Sequence, residues 1–111
     1  MDICSCGGLT EAKRISALSS TKGVKVIPHT WGSGIAFYTA INFISNLEPM
    51  PGRLYMEDAY IEYDRTENKI RENIIKDNII MKDGYISVND KPGLGVDAVS
   101  YTHLRAHETS R

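Results

Sequence analysis

Cysteine is scarce in this chain, and what there is builds no framework. The 111 residues hold two, Cys4 and Cys6, with one residue between them. That spacing is too tight for an ordinary structural disulfide and is not the Cys-x-x-Cys of redox or zinc sites. Both are read as free thiols in a reducing compartment. An excess of one charge is lacking too: 13 Lys and Arg stand against 14 Asp and Glu, a formal charge of −1. With no broad positive field to hold a phosphate backbone or an anionic membrane, nucleic acid and membranes are set aside as partners. Long apolar runs are also missing. None approaches the roughly 20 residues that span a bilayer, and the N-terminus lacks the basic-then-apolar order of a signal peptide. The expected location is cytoplasmic. Internal repeats and low-complexity linkers are absent as well.

What is present suits one modest core, with 41% hydrophobic residues in a length normal for a single domain. Thr10 is placed to cap a helix whose Leu9, Ala12, Ile15 and Leu18 share a face, with Gly23 placed to stop it. Val24-Lys25-Val26-Ile27 reads as a short buried strand ended by Pro28, which puts His29 at its C-terminal end. The stretch from Ile35 to Ile44 is apolar around most of a helix and needs cover on more than one side. Tyr60-Ile61-Glu62-Tyr63 is the next strand candidate, followed by a polar helix from about Glu67 to Ile75. Asp83-Gly84 then predicts a tight hairpin between Ile79-Ile80-Met81 and Tyr85-Ile86-Ser87-Val88. This alternation predicts an α/β fold with parallel strands, closed by an antiparallel appendage.

Three segments in order carry a resemblance: Asp2-Ile3-Cys4-Ser5-Cys6-Gly7-Gly8-Leu9-Thr10-Glu11, Gly23-Val24-Lys25-Val26-Ile27-Pro28-His29-Thr30-Trp31-Gly32, and Tyr60-Ile61-Glu62-Tyr63-Asp64. Together with the ending Met81 to Val96, they resemble the closing strands of the mandelate racemase/muconate lactonising enzyme family of the enolase superfamily. The resemblance implies the C-terminal part of a (β/α)7β TIM-type barrel over residues 1–97, strands six to eight with their helices, plus a C-terminal β-hairpin. Residues 98–111 follow no family pattern and are read as a non-native tail. His103 and His107 within it are spaced for one helix face but lack a third ligand, so no metal site is assigned to them.

In such a barrel the strand ends converge on one mouth. By resemblance, Asp2, His29 and Glu62 are the catalytic residues of the sixth, seventh and eighth strands. Asp2 is expected to orient His29, which transfers a proton because both states of an imidazole are accessible near neutrality. Glu62 is expected to share a proton with the substrate carboxylate, with Glu57 and Asp64 as alternative acids in the same segment. Trp31 is the candidate substrate-binding residue. The implied reaction removes the proton α to a carboxylate to form an enediolate. An acid-sugar dehydratase is the leading expectation, with a racemase or epimerase as the alternative.

The resemblance also implies Mg²⁺, bound by carboxylates of earlier strands that this chain lacks. A missing N-terminal barrel half and capping domain, a sugar-acid substrate and a homo-oligomeric parent complete the expected partners. The chain alone is accordingly expected to be inactive and prone to self-association. Two rival functions rest on local features. Gly7 and Gly8 before a helix suit an α/β module that binds an anion without chemistry, and the apolar second helix suits an interaction role.

Overall fold

The computed structural model describes residues 1–52, 54–55, 58–76 and 79–99. Glu57, His103, His107 and the tail from position 100 onward lie outside the described residues.

Helix α1 spans Leu9–Thr21. Gly8 is its N-cap and Thr10 lies within the first turn, because the Gly8 carbonyl already accepts the Ala12 amide at 3.0 Å. The turn from Asp2 to Gly8 feeds the helix two residues earlier than the capping preference of Thr10 predicts. Gly23 does stop it, at φ 66° just beyond the C-cap Lys22. Of the apolar stripe, Ala12 is fully buried while Leu18 is 68% exposed.

Helix α2 spans Gly34–Ile44 and is capped by Ser33, whose Oγ accepts the Ala36 amide at 3.2 Å. Phe37, Tyr38, Ala40, Ile41 and Phe43 are all buried. The cover comes from several directions. Ala40 and Phe43 join Ile3 and Ala12 in one cluster, flanked by Met1, Val26, Leu47 and Ile61. Phe37 meets Tyr63 edge to face at 5.3 Å. The short helix α3, Lys69–Asn73, closes another side.

Extended chain lies beneath the helices, paired less fully than the sequence predicts. Asp2 and His29 form an isolated parallel bridge. The His29 amide donates to the Met1 carbonyl at 2.6 Å. No strand forms over 24–27 or 60–63 among the described residues. Side chains tie the flanking chain together, Lys25 Nζ donating to the Asp58 carbonyl and Thr30 Oγ1 to the Glu62 carbonyl. A helix is also shorter than predicted, since α3 covers only part of the stretch from Glu67 to Ile75.

The hairpin forms as predicted, with β1 at Met81–Lys82 antiparallel to β2 at Tyr85–Ile86. Asp83 and Gly84 both take positive φ, 53° and 82°, as a type I′ turn requires. Beyond it the chain returns to Ile75, pairing Ile75 with Ala98 and holding the Val99 amide 2.8 Å from the Ile74 carbonyl.

Gly34 sets how closely α2 and α3 approach. A Cβ there would lie 2.6 Å from the Arg71 carbonyl oxygen and 2.8 Å from Ile75 Cδ1. In an open helix Gly→Ala gains about 0.5–1 kcal/mol; here overpacking, at roughly 1–3 kcal/mol, wins. Gly34→Ala is therefore expected to lower the urea midpoint of unfolding, and a raised midpoint would show that the two helices are not in contact at this point.

Candidate active site

Three stretches of chain meet at the polar edge of this fold. The first is the turn from Asp2 to Gly8. Burial alone would raise the Asp2 carboxyl pKa, but the Cys4 amide, the Ser5 hydroxyl and amide, and the nearby His29 charge outweigh it and hold the group below its ordinary value. Its two oxygens take the Cys4 amide at 2.8 Å and the Ser5 hydroxyl at 3.0 Å. Asp2 is thus engaged within its own turn.

The second stretch follows the fully buried Pro28. His29 emerges half-exposed and turns its Nδ1 to Glu62 Oε2 at 2.5 Å. Next to it, the Thr30 hydroxyl donates to the Glu62 carbonyl. Trp31 follows with its indole 71% exposed.

The third stretch runs from Glu62 into α3. Tyr63 is anchored by Phe37 and lies 5.8 Å from the Arg71 guanidinium. Arg71, only 7% exposed, donates to Asp64 at 2.9 Å and to the Thr66 carbonyl at 2.5 Å. The amide and hydroxyl of Thr66, then Arg71, hold the Asp64 carboxyl below its ordinary value of 3.8 against a smaller opposing effect of burial. Asn68 caps α3 and also donates to the Gly32 carbonyl at 3.2 Å.

The structure therefore joins His29 to Glu62 directly and sets Asp2 beside His29 through the backbone. Asp64, an alternative acid by sequence, is committed to Arg71. Sequence reasoning did not single out Thr30, Asn68 or Arg71. Only Asn68 carried a local signal, an N-cap residue type just ahead of a helical stretch. A cavity of about 690 Å³ lies between α1 and the chain from Ile44 to Tyr60 and includes none of the candidates. They occupy an open face. Among the described residues no group of three or more His, Cys, Asp or Glu gathers as metal ligands would.

The chain thus has α/β character, with helices over extended segments and a His–Glu pair where those segments end. The family model "Enolase C-terminal domain-like" matches residues 1–101, and the chain belongs to that family. D-galactarolactone cycloisomerase of Agrobacterium fabrum is 33% identical over 96 residues, 86% of this chain and 25% of the relative. Arabinonate dehydratase of Saccharolobus solfataricus is 30% identical over 94 residues, 85% of this chain and 23% of the relative. The crystal structure of 3,6-anhydro-D-galactonate cycloisomerase from Zobellia galactanivorans superposes with a TM-score of 0.73 at 39% identity, covering 87% of this chain and 25% of that one. The chain spans about a quarter of the length of these relatives.

A carboxyl whose folded pKa lies below its unfolded value adds stability that is fully present above the unfolded value. That stability is lost as pH falls through the folded value. Asp64 is such a group. Asp64→Asn is expected to unfold at lower urea than the parent at pH 7 and to lose less further stability on acidification below 3.8. An unchanged acid slope in urea titrations would show that the Asp64–Arg71 pair contributes no pH dependence.

Proposed function

We propose that this chain supplies the closing edge of an enolase-superfamily active site for sugar acids. There a proton leaves the carbon α to a carboxylate, and the oxygen on the β carbon departs. The observation that carries this reading is the 2.5 Å contact of His29 Nδ1 with Glu62 Oε2. A neutral imidazole held in that way donates from Nδ1, so Nε2 keeps the lone pair; once protonated, Nε2 holds the proton to be delivered. His29 then moves the proton at Nε2. Glu62 fixes the ring, and Asp2 adjoins His29 through the backbone. The hydrogen-bond pattern supports giving Glu62 the orienting part that the sequence resemblance gave to Asp2. The second oxygen of Glu62 is left for the substrate carboxylate, and the exposed Trp31 for its carbon chain.

On an aldonate the C3 oxygen is β to the carboxylate, whether it is a free hydroxyl or the ether oxygen of a 3,6-anhydro ring. Breaking the C3–O bond of the enediolate sends the bonding pair to oxygen, which takes the proton from His29. The remaining enol becomes a 2-keto-3-deoxy acid. A free hydroxyl leaves as water, which is dehydration, and a tethered oxygen stays on the molecule, which is isomerisation. Of the relatives, two are named cycloisomerases and one a dehydratase, so both outcomes of this one elimination stand ahead of racemisation or epimerisation.

The base that takes the α proton, the walls that enclose the substrate and the carboxylates for Mg²⁺ are proposed to come from outside this chain. A homo-oligomeric, cytoplasmic enzyme is proposed on the same resemblance. Among the described residues no helix is long and apolar enough to cross a membrane.

The test is release of 2-keto acid from a panel of aldonates, 3,6-anhydroaldonates and aldarolactones by this chain within its complete barrel, with Mg²⁺. Turnover is expected from that enzyme, reduced roughly 10²- to 10⁴-fold by His29→Ala and absent from the chain alone. Turnover that survives His29→Ala removes His29 from the mechanism.

A further inference from the structure

Asn68 makes two kinds of contact that do not depend on each other. Its Oδ1 accepts the amides of Ile70 and Arg71, each at 3.1 Å, which caps α3. Its Nδ2 donates across the site to the Gly32 carbonyl at 3.2 Å. The cap would be complete without the second bond. The side-chain amide can face only one way, because a carbonyl oxygen opposite requires the NH₂ group and two backbone amides require the oxygen.

The second bond closes a small frame around the catalytic pair. Running from His29 to Gly32, the loop is tied to the Glu62 segment at one end by His29 and Thr30. At its other end it is tied to α3 by Asn68. The base of the frame is stiff. Asp64 holds the Thr66 amide and hydroxyl, and Arg71 spans from Asp64 to the Thr66 carbonyl. Asn68 therefore transmits the position of this hydrogen-bonded element to a loop whose His29 is 56% exposed. Displacing a proton-transfer group by about 1 Å is enough to cost on the order of 10²-fold in rate.

We propose that Asn68 is a positioning residue, whose Nδ2 bond to Gly32 holds the His29 loop in the register where imidazole Nδ1 meets Glu62. The catalytic consequence rests on the proposed role of His29, but the geometry is measurable without turnover.

Serine accepts the same capping amides but is too short to reach Gly32, so Asn68→Ser keeps the cap and removes the cross-loop donor. The readout is the His29 tautomer in the full 111-residue chain, from long-range ¹H–¹⁵N correlation at about pH 8.5, where an ordinary imidazole is neutral. The ring signals are assigned by their absence in His29→Gln. In the parent chain the proton is expected on Nδ1. Asn68→Ser is expected to lose that preference, its ring ¹⁵N resonances collapsing toward the averaged positions of free imidazole, with the unfolding midpoint unchanged. Should Asn68→Ser fail to fold, Asn68→Asp is read in its place, because it caps as well and also lacks the donor. An Nδ1–H signal that persists in the folded variant overturns the proposal, as does a parent ring protonated mainly on Nε2. Turnover surviving His29→Ala would instead strike only the catalytic role and leave the tautomer result standing.

Discussion

A helix that is apolar around most of its circumference is stable only if chain is laid against it from several directions, and α2 imposes that demand on everything near it. Phe37, Ile41 and Phe43 are each about 97% buried. Burying side chains of this size contributes roughly 1.5–3 kcal/mol apiece. Exposed ion pairs such as Arg14 with Glu11 add about 0–1 kcal/mol, so they do not set the architecture. The cover is drawn from Ile3, Ala12, Val26 and Ile61 on one side and from Tyr63 and α3 on the other. One helix thus gathers all three stretches that carry polar candidates.

That gathering explains why the polar groups end where they do. Ile61 packs into the core flank, so its neighbour Glu62 is turned away from it, as alternation along an extended chain requires. Pro28 is buried and His29 is exposed for the same reason. The core fixes backbone on one face and leaves the site on the other. At this face hydrogen bonds link one loop to the next, from Thr30 to Glu62 and from Asn68 to Gly32.

The features legible in the sequence are those decided by nearby residues. The Asp83-Gly84 turn follows from two adjacent residues that tolerate positive φ. The extent of α2 follows from its own apolar run, and the end of α1 from Gly23. Family membership was legible because several short segments occur in a fixed order. What escaped is non-local. Whether 24–27 and 60–63 form a ladder depends on how two distant segments are spaced, and here side chains of Lys25 and Thr30 tie the flanking chain together. The return of Ala98 to Ile75 and the reach of Asn68 to Gly32 likewise join residues far apart in sequence. Their residue types hold no trace of the partner.

The choice of partner for His29 shows how a local bond settles a distant one. Asp2 and Glu62 are both carboxylates at segment ends next to the same imidazole, and sequence offers no ground for preferring the second. Asp2, however, begins a turn whose own amides need acceptors, and its oxygens satisfy the Cys4 amide and the Ser5 hydroxyl. Each such bond stabilises the anion and lowers its basicity, which makes Asp2 a weaker acceptor for a further directional bond. Glu62 has one more methylene and no turn of its own to satisfy, so it reaches the ring. Asp2 then serves its own turn and is joined to His29 through the backbone. Two carboxylates at segment ends are divided between a turn and an imidazole by what the backbone next to each one demands.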